Sequence, residues 1–180
     1  SISSSAHNVN DFKLIIKFYE FGVASKWVQT LKGGEEITYM GAFGDYFFRE
    51  PPKENVVFVA TSTGLAPFYS MLTSTCEKYK NVNYHVLMGV WNEKEIFYKN
   101  EIEALRSKLP HLKVDYVLDT PLDPNYHGLK GRVTDVIDKM DLTKPTEFYL
   151  CGNPAMLRAV KELLASKQFP ASQIYSESYG

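Results

Sequence analysis

The stretch VVFVATSTGLAPFYS, residues 56–70, decides the fold. Val56, Val57, Phe58 and Val59 run apolar without alternation, the pattern of a strand buried on both faces. The small, mostly hydroxyl-bearing Thr61, Ser62, Thr63 and Gly64 follow. Pro67 then opens a helical pattern that sets Phe68, Met71, Leu72 and Cys76 on one face. Proline suits the first turn of a helix, where its missing N–H is no loss. A buried strand feeding a small-residue turn into a helix start directs free N–H groups and the positive dipole end at one place, where a diphosphate fits. The stretch holds one glycine and is not a G-x-G-x-x-G loop, so an ordinary strand-to-helix turn also accounts for it.

Downstream, strands and helices alternate. Strands are expected at 56–60, 84–90, 113–118, 147–151 and 173–175, and helices at 67–79, 94–108, 133–140 and 155–167. In the last helix Met156, Val160, Leu163 and Leu164 form an apolar stripe. Short connections between such units predict an α/β fold with a doubly wound, five-stranded parallel sheet. Ligands of such sheets collect beyond the carboxyl ends of the strands. Those ends read Thr61 to Gly64, then Trp91-Asn92, Asp119-Thr120, and Cys151-Gly152-Asn153-Pro154. Cys76 reads as inert filler on a helix face, whereas Cys151 ends a buried strand at a glycine turn.

Upstream, strand character appears at 1–5, 12–18 and 36–39, with a short helix at 26–31 closed by Gly33-Gly34. Three strands and a helix cannot close a barrel, so residues 1–50 read as part of a domain. Glu50-Pro51-Pro52-Lys53 is a stiff link to a second domain at 54–180.

Composition narrows the function. In 180 residues, 20 basic side chains balance 21 acidic ones, which gives no footprint for nucleic acid. No apolar run approaches the ~20 residues of a membrane helix, and residues 1–10 are too polar for a signal peptide. The two cysteines and four histidines show no metal-ligand spacing. His85, inside a strand pattern, reads as a satisfied core residue, and a reducing cytoplasmic setting is the default.

The wording TSTGLAPF resembles the TGTGIAPF segment of the ferredoxin–NADP⁺ reductase family, and YLCGNPAM at 149–156 resembles its Y-x-C-G-x-P-x-M signature. GVAS at 22–25, LKGGEEI at 31–37, GAFG at 41–44, GRVTD at 131–135 and the closing Glu177-Ser178-Tyr179 are similar to further family segments. Ala42 departs from the family's proline. Ser1-Ile2-Ser3 stands where the family has the serine of R-x-Y-S and the residues next to it. That register implies that the motif's Arg and Tyr, and half of an antiparallel flavin-binding barrel, precede residue 1.

The resemblance implies a flavin-dependent NAD(P)H oxidoreductase that takes hydride from nicotinamide onto FAD and passes electrons to a protein carrier such as a ferredoxin. It implies that residues 1–50 are the last part of the FAD-binding β-barrel and 54–180 the NAD(P)-binding domain. Cys151, Glu177, Tyr179 and Ser1 would then stand at the reacting atoms. Ser1, Ile2 and Ser3, with Gly22, Val23, Ala24 and Ser25, would hold FAD. Thr61, Ser62, Thr63, Gly64, Pro67, Trp91, Asp119, Cys151, Gly152, Asn153, Pro154, Met156 and Tyr179 would hold the nicotinamide nucleotide. Asp119 stands where NADP-selective members carry Ser-Arg, as in the NADH-using branch of cytochrome b5 reductase and oxygenase reductases. A carboxylate there binds a free ribose 2′-hydroxyl and repels a phosphate. Lys130 and Arg132 leave NADPH open, and at GRVTD a plain helix start competes with a cofactor contact. A nucleotide-binding fragment without chemistry of its own, or a reductase of a small-molecule acceptor, also fits the residues.

Overall fold

In the computed structural model, which describes residues 1–142 and 145–179, the stretch at 56–70 builds the centre of the molecule. Strand β1 (Asn55–Thr61) carries Val56, Val57, Phe58, Val59 and Ala60, none more than 3% exposed. Each of the valine and phenylalanine side chains contributes about 1.5–3 kcal/mol by leaving water, and the Ala60 methyl less. Alternate residues serve opposite faces. Val56, Phe58 and Ala60 meet α2 (Leu65–Thr75) and α3 (Lys99–Arg106), while Val57 and Val59 meet α4 (Val133–Lys139) and α5 (Pro154–Ser166).

The sheet is completed by β2 (Asn83–Val90), β3 (Leu112–Leu118), β4 (Leu129–Lys130), β5 (Thr146–Gly152) and β6 (Ile174–Ser178). All neighbours pair parallel in the order β4-β3-β2-β1-β5-β6. The sheet therefore has six strands and not the five expected. The added β4 is two exposed residues at an edge, too short to show any periodicity. Helix α2 begins at Leu65, after a 3₁₀ turn over Ser62–Gly64, so Pro67 lies inside its first turn and is buried. Gly180 lies outside the described residues.

His85 on β2 is half-buried and not a core residue; its Nε2 lies 2.8 Å from Asp115 on β3. Burial pushes the imidazole below its ordinary range, although the Asp115 bond opposes the shift. Asp115 also pairs with Lys113 at 2.9 Å, and these bonds outweigh its own burial to hold the carboxyl low.

Residues 1–50 contrast with the sheet. Helix α1 spans Val23–Thr30, starting earlier than expected because Lys26 N–H already bonds back to Gly22 C=O. The strands expected at 12–18 and 36–39 do not form. Among the described residues the segment's β pairing is a single antiparallel bridge, Ile2 to Leu14. The alternating Phe12, Leu14, Ile16 and Phe18 find no neighbouring strand to complete a ladder and stay exposed. Polar contacts attach the segment to α2: Ser70 Oγ donates to Ser4 C=O at 2.7 Å, and Ala6 N–H donates to Ser74 Oγ at 2.8 Å. Nearer the sheet, Tyr46 donates its hydroxyl to Leu150 C=O at 3.0 Å, and Phe48 stacks on Tyr149 with centroids 5.6 Å apart.

Candidate active site

Chain order reverses direction between β1 and β5, and there the carboxyl ends of the strands part to leave a crevice of about 600 Å³. The strand ends singled out from sequence meet here. Thr61, Ser62, Thr63, Trp91, Asp119, Gly152, Asn153, Met156 and Tyr179 line it.

Two glycines let the walls approach. A Cβ on Gly64 would stand 2.1 Å from Cys151 O, so the β1 turn lies directly on the β5 backbone. Gly152 has φ +136°, and a Cβ there would fall 2.2 Å from Thr61 Oγ1. That hydroxyl accepts Asn153 N–H at 2.9 Å, tying the two turns together. Asn153 Oδ1 in turn accepts Ala155 N–H at 2.7 Å and caps α5, with Pro154 in its first turn.

The four residues placed by resemblance at the reacting atoms come together around Tyr179, the member of the group that lines the crevice. Parallel pairing sets Glu177 opposite Cys151, and Tyr179 N–H donates to Gly152 C=O at 2.9 Å. Ser1 Oγ donates to the Glu177 carboxylate. Cys151 is fully buried just behind the lining, and burial pushes its thiol up to about 12. It is a neutral, packed group at neutral pH. Burial likewise raises the Tyr179 hydroxyl.

Other expected residues stand apart. Ser3 is buried, with Oγ donating to Lys13 C=O at 3.0 Å and meeting Tyr98 at 3.3 Å, while Ile2 faces outward. The buried Ser25 hydroxyl accepts Tyr19 N–H at 2.9 Å. The amides of Val23, Ala24 and Ser25, which precede the first bond of α1, are the donors at that helix start. Pro67 is enclosed in α2, away from the crevice lining.

Sequence reasoning missed several lining residues: Lys17, Tyr19 and Glu95. Lys17 Nζ lies 3.0 Å from Glu95 Oε1, joining the first segment to the sheet at the crevice. The alternation at 12–18 fixes which side Lys17 shares with its neighbours, but which surface that side meets is a tertiary fact. At GRVTD a capped helix start lies on the crevice wall. Asp135 accepts Arg132 N–H at 2.8 Å as a helix cap, while Arg132, Val133 and Thr134 line the crevice.

A family model for the oxidoreductase NAD-binding domain matches residues 58–162. The toluate 1,2-dioxygenase electron transfer component of Pseudomonas putida is 26% identical over 178 residues, covering 98% of this chain and 52% of that protein. The chain thus spans about half the length of this relative. A cytochrome P450 reductase from Amycolatopsis has the same fold, with a TM-score of 0.88 at 21% identity over 99% of this chain and 55% of that one. Ferredoxin–NADP⁺ reductase from Plasmodium falciparum gives 0.82 at 27% identity over 99% and 76%. Among the described residues no helix is long and apolar enough to cross a membrane.

Proposed function

The chain belongs to the oxidoreductase NAD-binding domain family, and on that premise we propose that it works in a flavin-dependent NAD(P)H oxidoreductase that delivers electrons to a protein carrier. The observation that carries this reading is the crevice at the β1/β5 reversal, with Cys151, Glu177 and Ser1 gathered around Tyr179 on its wall. The donor set fits both cofactors. Gly64 and Gly152 let the β1 and β5 turns close on one another, so that Thr61, Ser62, Thr63, Asn153 and Arg132 line one crevice, and the start of α1 offers free amides. When bound, FAD supplies the hydride acceptor and the single-electron donor of the reaction.

The chain's own residues bind and orient. Residues 61–64 and the start of α5 take the nicotinamide nucleotide, with Lys17 and Arg132 on the crevice to meet its diphosphate. Asp119 reads the adenosine ribose and favours NADH, with NADPH secondary. Residues 22–25 hold the FAD diphosphate through main-chain amides, and Ser1 to Ser3 lie at its ring. Cys151, neutral and immobile, fixes the distance between donor and acceptor and is not a nucleophile. Glu177, bonded to Ser1, holds or moves a proton at its carboxylate. Residues 1–50 then form the last part of the FAD-binding barrel and 54–180 the nucleotide domain. The partner is an electron carrier such as a ferredoxin; passing electrons onward is in keeping with a relative named as an electron transfer component. A cytoplasmic setting keeps both unpaired thiols reduced.

The test is to purify the chain with added FAD, record visible flavin absorbance after desalting, and follow NADH oxidation by an artificial one-electron acceptor. Retained flavin and NADH-dependent turnover are expected. Nucleotide binding without either would make this a binding module.

A further inference from the structure

Residues 91–95, WNEKE, turn the chain out of β2 beside the loop that follows β3. That loop carries Asp119, whose exposed side chain lines the crevice. Every amide between 119 and 123 is taken from the β2 side. Asp119 N–H donates to Val90 C=O at 3.0 Å and Thr120 N–H to Trp91 C=O at 2.8 Å. Pro121 has no N–H. Leu122 N–H donates to Glu93 Oε2 at 2.9 Å, and Asp123 N–H reaches Oε1 at 3.4 Å. Thr120 Oγ1 donates to Asp119 Oδ2 at 3.1 Å and orients the carboxylate.

Two of these attachments are backbone to backbone and indifferent to side-chain identity. The outer one depends on Glu93 alone. Its turn is itself braced, since Asn92 Oδ1 accepts Lys94 N–H at 3.0 Å and Glu95 Oε2 accepts Trp91 N–H at 3.2 Å. The amide of Leu122, that of Glu93 itself and, more weakly, that of Asp123 hold the Glu93 carboxyl below the usual carboxylate range, so it is an ionised acceptor at neutral pH.

We infer that Glu93 is a positioning residue for nucleotide selectivity, clipping the 119–123 loop so that Asp119 meets the ribose 2′ position from a fixed place. The inference rests on the reading of Asp119 given above. Selectivity is a difference of two affinities, and a carboxylate on a loosened loop loses on both sides. It meets the 2′-hydroxyl of NADH less often, and it can retreat from the 2′-phosphate of NADPH. Release of the clip therefore shrinks the ratio from both ends, whereas a residue that merely supports the fold would weaken both nucleotides alike.

The test is direct titration of NADH and NADPH into the full chain, which requires no turnover, for the parent, Glu93→Ala, Glu93→Gln and Asp119→Ser. The parent is expected to favour NADH. Glu93→Ala should shrink the ratio of dissociation constants by about three- to tenfold, less than the full loss of a hydrogen bond to a buried charge because Glu93 lies in a partly exposed turn. Glu93→Gln, which keeps one acceptor oxygen, should shrink it less and serves as the reading variant if the alanine chain fails to fold. Amide hydrogen exchange should quicken at Thr120, Leu122 and Asp123 and not in β1. An unchanged ratio in both Glu93 variants while Asp119→Ser shifts it would overturn the clip and leave Asp119 standing. An unchanged ratio in Asp119→Ser would overturn both, because the clip would then have nothing to aim.

Discussion

Two regions of this chain use similar apolar residues to opposite effect. Phe12, Leu14, Ile16 and Phe18 alternate as a strand should and remain exposed, while Val56 to Ala60 do not alternate and vanish into the interior. In β1 each backbone group has a neighbour on either side, from β2 and from β5. In residues 1–50 one bridge is all the β pairing found among the described residues. Side-chain pattern states what a strand would bury; partner strands decide whether it does. The body built on the sheet is held by its own packing, and the first segment by polar contacts to α2, the Lys17–Glu95 ion pair, hydrogen bonds from Ser1 and Ser3, a bonded tyrosine and stacked rings.

That contrast is broken most sharply at glycine. Gly64→Ala should cost about 4 kcal/mol or more in urea unfolding, since its Cβ would land on the Cys151 carbonyl and backbone must move. Gly33→Ala, with nothing within 4 Å of the added carbon, should stay within about 0.5 kcal/mol. Equal losses would mean that the two regions are packed alike.

Next comes cavity formation. Leu150→Ala, at a fully buried position on β5, should destabilise by about 3 kcal/mol. Phe21→Ala, where the ring is 82% exposed, should be nearly silent in the same melt.

A comparison inside the sheet body concerns its two buried thiols. In flavin-loaded protein Cys151→Ala should slow reduction by NADH about tenfold with little change in NADH affinity, read by rapid mixing. Cys76→Ala should alter stability only. Because burial lifts the Cys151 thiol to about 12, the reduction rate should show no thiol titration between about pH 6 and 9. An alkaline rise in that window would contradict a packed, neutral group.

The smallest effect is a pH dependence from the His85–Asp115 pair between β2 and β3. Burial sets the folded pKa of His85 below that of the unfolded chain, so the unfolded state takes up the proton first as pH falls. Its contribution is complete above the ordinary histidine range and fades below it. Asp115, held low, acts in a separate and more acid window. The melting temperature should therefore fall slightly from about pH 7 to about pH 5, and His85→Gln should flatten that part of the profile.

The sheet was legible because its strands are buried on both faces and its helices carry stripes; at each of the five expected strands the observed boundaries lie within three residues of those expected. The edge pair Leu129–Lys130 was not, having neither burial nor length. Within the site, small and polar strand ends announced Thr61, Asp119 and Gly152 because parallel topology alone brings such ends together. Lys17, Glu93 and Glu95 gave no local sign. Their roles come from contacts with segments distant in sequence, and a charged residue in a turn looks the same whether or not it clasps a loop.

The pairing of β1 with β5 has a consequence for how the protein comes to be active. The steps β1-α2-β2-α3-β3 assemble from neighbours in sequence, but Ala60 and Cys151 meet only after the chain has returned across the sheet. Closing so long an excursion carries the larger entropic cost and belongs late in folding. The crevice is therefore the last part of the body to exist. On the reading proposed above, a nucleotide bridging residues 61–64 and Asn153 would tie those strands together and draw the folding equilibrium toward the finished state, with a stabilisation that grows as the logarithm of its concentration.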